Sequence, residues 1–214
     1  MGSYSSLAKQ MRTWLIFLLT IPLIIMMLIG FYLLKTSLVK QTYSQLKIVS
    51  NQHKDVIERF FETEADKLRF FTQTPCIEHF FENLDNFYEK NPTTNSQEYK
   101  EERISSQGQY VDNYASHRYE HEVIFVNSNG VIFFSKRNPN AVGNNLFVGA
   151  KRHTVLAKVV KRVFKTQKHH YSNYHLSKES NQKTIYNVEP MFVNKEFRGA
   201  IISDISDFDI EQLF

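Results

Sequence analysis

Five of the eight histidines fall into two groups: His117 and His121, four residues apart, and His169, His170 and His175, crowded into a short stretch. Neutral imidazoles are common metal ligands, so each group could contribute to a zinc-type site. The first pair straddles a predicted helix-to-strand junction, and the single cysteine, Cys76, reinforces neither group. The pattern therefore points to exposed or ordinarily hydrogen-bonded histidines, with no metal expected. A lone cysteine also excludes a disulfide framework. The chain lacks a Walker glycine loop, H-E-x-x-H, G-x-S-x-G, a C-x-x-C pair, and the G-G-D-E-F and E-A-L signatures of cyclic-dinucleotide enzymes. No intrinsic enzyme activity and no cofactor are expected.

Two further groups could bind something. Lys151, Arg152, Lys158, Lys161, Arg162, Lys165 and Lys168 form a basic run without a nucleic-acid reading motif. A solvated helix face is the favoured reading, anionic headgroups or an anionic ligand the lesser one, and nucleic acid is not expected. Strand alternation could place Phe125, Phe133, Ser135, Tyr171, Tyr174, Tyr186 and Asp204 along one side of a sheet, as aromatic walls with a few polar groups for a small molecule. Arg118, Tyr119 and His121 enter the first strand and could gate such a site or pair with a ligand carboxylate. Each aromatic suits a core equally well, because a one-residue change of register flips a strand's faces.

The elements that must position these residues begin with Trp14 to Leu34, an uncharged apolar run of 21 residues. At ~1.5 Å per residue it matches a hydrocarbon core of ~30 Å. It exceeds the usual apolar region of a signal peptide and does not end in small residues, so an uncleaved anchor is expected. Mean hydropathy over the whole chain is negative, which leaves the 180 residues after Leu34 polar. No second stretch could span a membrane, which excludes a polytopic transporter. Lysines on both sides of the span leave its orientation undecided by charge. The start also matches the myristoylation pattern, but a chain holding a membrane helix gains little from one fatty chain.

From Lys35 to Thr74 no glycine or proline interrupts the chain. Val39, Tyr43, Leu46, Val49, His53, Val56, Phe60 and Phe71 recur mostly three, four or seven residues apart. That predicts one long amphipathic helix whose stripe would pair with a second copy, as a homodimer, or fold back on its own domain. Thr74-Pro75 opens a second helix, and Glu98 to about Tyr114 is predicted as a third. Asn127 to Gly130 between two β-rich runs signals a hairpin. A helix with a Val155, Leu156, Val159, Val160, Val163, Phe164 stripe follows. Strands are then expected over His169 to Leu176, Thr184 to Val193 and Phe197 to Ile205, the last two joined at Asn194-Lys195. Antiparallel hairpins with helices before and between them give an α+β class.

This order resembles the Cache domain, the extracytoplasmic PAS-like sensor of bacterial chemoreceptors, sensor histidine kinases and membrane-bound nucleotide cyclases. The likeness covers about Lys35 to the end. It is carried by Phe125 to Val131, by Gly143-Asn144-Asn145-Leu146, by the helix starting near Thr154, by Tyr171-Ser172-Asn173-Tyr174, and by Glu189-Pro190 before Gly199. The resemblance implies a five-stranded antiparallel sheet whose concave face holds a small metabolite, and an inner-membrane receptor that passes occupancy to its membrane helix. On this reading residues 1–13 are cytoplasmic, 14–34 cross the membrane, 35–117 form the stalk and helical part of the sensor, 118–206 form the sheet, and 207–214 begin a further helix. In similar sensors such a helix leads to a second span and an output module. An anchored scaffold without a ligand, or the sensor portion of a longer catalytic receptor, are the alternative readings.

Overall fold

The computed structural model describes residues 4–116, 122–176 and 183–213. A single helix, α1 (Tyr4–Thr72), is shared by two compact units that divide between Asp55 and Val56. In the first unit, residues from Lys9 to Asp55 are exposed apart from half-buried Gly30. This part of α1 contains the one helix stretch, among the described residues, that is long and apolar enough to cross a membrane. Pro22 sits inside it, as membrane helices tolerate.

The second unit is α+β. After α1 come α2 (Pro75–Lys90), α3 (Gln97–Arg103) and α4 (Ser106–Ser116), then β1 (Val123–Asn127), β2 (Ile132–Ser135), α5 (Val155–Thr166), β3 (His170–Tyr171), β4 (His175–Leu176), β5 (Lys183–Val193), β6 (Glu196–Ser206) and α6 (Asp207–Glu211). The antiparallel sheet runs β2-β1-β6-β5-β3, with β4 also paired to β5. β5 and β6 are joined by Asn194 and Lys195, both in the left-handed region at φ 52 and 68. That is the two-residue hairpin geometry expected there, achieved without glycine.

Two sequence expectations need correction. The third helix is two: the chain breaks at Ile104-Ser105, and the corner is tied by Arg103, whose guanidinium makes two 3.0 Å bonds to Asp112. Gly108 permits the corner, because a Cβ there would overlap the Arg103 carbonyl. Likewise the strand expected over His169 to Leu176 is two short strands. From Tyr171 to His175 is four residues, while their partners Asn187 and Thr184 are three apart, so one residue is extra and the ladder breaks. Both pieces occupy the same place beside β5, so the sheet keeps five positions.

Each face of the sheet carries a core. On one, Val123, Phe125, Phe133, Met191, Val193 and Ile201 pack against Leu68 and Phe71 of α1, Phe80, Phe81 and Leu84 of α2, and Val111 of α4. On the other, Ile124, Val126, Ile132, Val188, Ala200 and Ile202 meet the apolar stripe of α5 together with Leu146. α5 starts where the Thr154 hydroxyl accepts from the Ala157 N–H at 3.1 Å, which fixes the stripe toward the sheet. Gly199 lies where β6 passes close to the Val126 carbonyl, leaving no room for a side chain.

Candidate ligand cleft

Along β5 the side chains alternate. Tyr186 and Val188 point to the α5 core, while Asn187, Glu189, Met191 and Val193 point to the side of α1 and α2. Met191 and Val193 complete an apolar core; Asn187 and Glu189 bring polar groups into the interior, 1% and 7% exposed. Burial of such groups is costly unless they are bonded, so their partners define what this region can do.

Asn187 is bonded at both ends of its amide. Its Nδ2 donates to the Glu64 carbonyl of α1 at 3.0 Å, and its Oδ1 lies 2.6 Å from His169 Nε2. Because only the amide nitrogen can serve a carbonyl, Oδ1 must face the imidazole, and Nε2–H donates. Burial holds His169 below the ordinary histidine range, which keeps the ring neutral. Tyr171 stands beside it, rings 4.6 Å apart, and donates its hydroxyl to the Phe61 carbonyl. Its ring also meets Phe61 edge-on at 5.1 Å. β3 and β5 are thus fastened to successive turns of α1 by backbone-directed bonds.

Glu189 is only partly satisfied. Oε1 accepts from Arg69 Nε at 3.4 Å, near the limit for a hydrogen bond, while Oε2 is buried with no partner among the described residues. Burial raises its carboxyl above the usual range, opposed by Arg69. Arg69 has a second, shorter bond to Asp66 at 2.9 Å. Beside this pair opens a cleft of ≈590 Å³, walled by α1, α2, β5 and the turn after α5. Arg69 and Lys168 bring positive charge to it, Glu78 and Glu189 negative, and Pro190 and Phe192 apolar surface. That size and mixture suit a small polar molecule with a short carbon skeleton.

The residues expected to line a site are distributed differently. Phe125 and Phe133 are fully buried within the aromatic core, their rings 5.4 and 4.8 Å from Phe81. Ser135 donates to Glu122 Oε1 at 2.8 Å, and Asp204 accepts from the Glu122 N–H at 2.7 Å, so both fasten the end of the sheet. Tyr186 and Asp204 oppose each other on the α5 side. Phe125, Phe133 and Tyr171 lie on the α1 side. The set is therefore divided between two faces. Tyr174 is exposed, and Arg118, Tyr119 and His121 lie outside the described residues. Of the described members of the set, only Tyr171 adjoins the cleft, through His169. Sequence reasoning passed over Arg69, Asn187 and Glu189 as site residues. Their signal was an amide and an acid at inward positions of an otherwise apolar strand.

No protein-family model matches the chain, and no curated protein matches it. Among solved structures it is similar to sensory domains. The isoleucine-bound sensory domain of the Campylobacter jejuni chemoreceptor Tlp3 is 15% identical, with a TM-score of 0.40 over 75% of this chain and 65% of that one. The sensor domain of the V. cholerae histidine kinase DctB is 16% identical, with a TM-score of 0.44 over 79% of this chain and 60% of that one. An extracellular ligand-binding receptor from Desulfohalobium retbaense is 15% identical, with a TM-score of 0.39 over 69% of this chain and 26% of that one. The chain thus spans about two thirds or less of these structures.

Proposed function

We propose that the chain is a membrane-anchored sensor domain of a bacterial receptor, which takes a small molecule in the cleft beside Arg69 and Glu189 and passes occupancy to α1. The observation that carries this reading is the cleft itself: its wall includes a side chain of α1 and a buried carboxylate of β5 that meet through one long bond. A ligand that favours one arrangement of this pair over another shifts the population of α1 arrangements; without such differential affinity nothing is transmitted. The sensor acts by binding and breaks no bond in the ligand. The domain lies outside the cytoplasm of an inner-membrane protein, on this reading. The exposed stripe Val39, Tyr43, Leu46 and Val49 suits pairing with a second copy.

The test is a melting-temperature screen of the detergent-solubilised full chain against a metabolite library. A hit at 100-fold its Kd is expected to add about 2.7 kcal/mol of stability. Arg69→Ala and Glu189→Ala should change the response to that hit. Complete absence of ligand-dependent shifts would favour the rival reading, an anchored scaffold, for which the filled cores on both sheet faces speak.

A further inference from the structure

Glu189 is the only acidic residue of β5, and its side chain is 9% exposed. It belongs to the wall of the cleft, yet one of its two oxygens has no donor among the described residues. Its neighbour on the same side of the strand, Asn187, is bonded at both ends of its amide. The contrast is informative, because a buried acceptor without a donor is among the less favourable arrangements in a folded chain. The one donor near Glu189, Arg69, is 45% exposed and holds Asp66 at the shorter distance. Arg69 can therefore swing off Glu189 and keep its better partner.

We propose that the cleft recognises its ligand through a primary ammonium group, which replaces Arg69 on the Glu189 carboxylate. This rests on the sensor reading above and names the ligand chemistry of the same site. An ammonium group has three donors and can serve both carboxylate oxygens, including the one that Arg69 leaves unbonded. A ligand carboxylate placed there would bring like charge against a buried acid and leave the same oxygen orphaned. Held by half-exposed Arg69 and exposed Lys168, it would form ion pairs of the kind that contribute little. Pro190 and Phe192 give the remaining carbon chain an apolar surface. The ammonium takes the place of Arg69 on Oε1, and it reaches Oε2, which is buried in the present arrangement, only as the surroundings shift. Binding and release of α1 from its charged tie to β5 are one event.

The experiment uses the full chain in detergent with three probes of equal carbon length: butylamine, butyrate and 4-aminobutyrate, followed by melting temperature and calorimetric titration at pH 7. The two amines should stabilise the chain and butyrate should not. Glu189→Gln, checked for native circular dichroism, should weaken amine binding on the order of tenfold or more, the loss of a charge-assisted bond. Arg69→Gln should tighten amine binding, since the competing guanidinium is gone. Equal amine binding by wild type and Glu189→Gln overturns the proposal. So does stabilisation by butyrate alone, although the sensor reading then stands. If neither these probes nor the metabolite library binds, the sensor reading falls with it.

Discussion

Under α5 the sheet face is apolar, with Val126, Val188 and Ala200 against Val160 and Val163, and Phe164 edge-on to both Phe147 and Phe197 at 4.9 Å; Tyr186 and Asp204 lie further along the same face. The face that meets α1 and α2 changes character along its length. Where β1 and β2 cross α2 it is a cluster of phenylalanines; where β5 crosses α1 it is Asn187, Glu189 and His169 with a cleft beside them. A purely apolar interface has no direction and favours the closest packing available. Polar bonds between a strand and individual helical carbonyls specify one position of the helix, and they lose their energy when it shifts. The α5 side thus rests on packing alone, whereas the α1 side rests in part on bonds that depend on the position of the helix.

That comparison can be broken most sharply in the aromatic cluster. Phe81, whose ring lies 4.8 Å from Phe133 and 5.4 Å from Phe125, should cost ~3–5 kcal/mol on Phe81→Ala, read by denaturant titration. A loss below ~1 kcal/mol would mean that this cluster does not hold the sheet to α2. Next comes Asn187→Ala, which removes the side-chain bonds to the Glu64 carbonyl and to the His169 N–H. It should cost ~2 kcal/mol, and amide exchange should quicken in α1 around Phe61 to Glu64 before it quickens in α5. Uniform exchange in both helices would erase the proposed difference between the faces.

Val160→Ala on the α5 side removes two buried methyl groups and should cost ~1.5 kcal/mol without altering α1 exchange. Last comes a pH dependence. Asp85 on α2, buried and bonded at 3.0 Å by Asn127 Nδ2, is pushed from 3.8 up to about 6 by burial. Between those values the folded chain holds a proton that the unfolded chain has released, so this contribution weakens as pH rises through the window. Glu189 and Glu122, also raised by burial, act with the same sign. His169, lowered by burial, acts oppositely: its contribution is present above the ordinary histidine value and is lost as pH falls below it. Relative to wild type, Asp85→Asn should gain stability steadily between pH 4 and pH 6; parallel melting curves would place Asp85 in contact with solvent.

Much of the architecture was legible locally. The uncharged run from Trp14 to Leu34, the Thr74-Pro75 start, the Asn127 to Gly130 turn, the α5 stripe behind Thr154 and the Asn194-Lys195 hairpin each follow from short-range pattern. Two misreadings also have local causes. A single helix over Glu98 to about Tyr114 would make Gly108 an interior residue, whereas it is the point of close approach to Arg103, and a single surplus residue after Tyr171 splits a strand without leaving a composition signal. The site was far less legible. Phe125 and Phe133 have the residue types of a pocket wall, but whether an aromatic ring meets a ligand or Phe81 depends on what packs opposite.

The order of segments alone determined that an apolar rod precedes an α+β unit of antiparallel hairpins, because hydrophobic period, caps and turns act over a few residues. Three-dimensional packing decided which face of each strand met which helix. It brought Arg69 and Glu189 together across 120 positions of chain and left a carboxylate oxygen without a donor among the described residues. Strand alternation fixes only that neighbouring side chains part company; register and the helix laid across the sheet decide where each one goes.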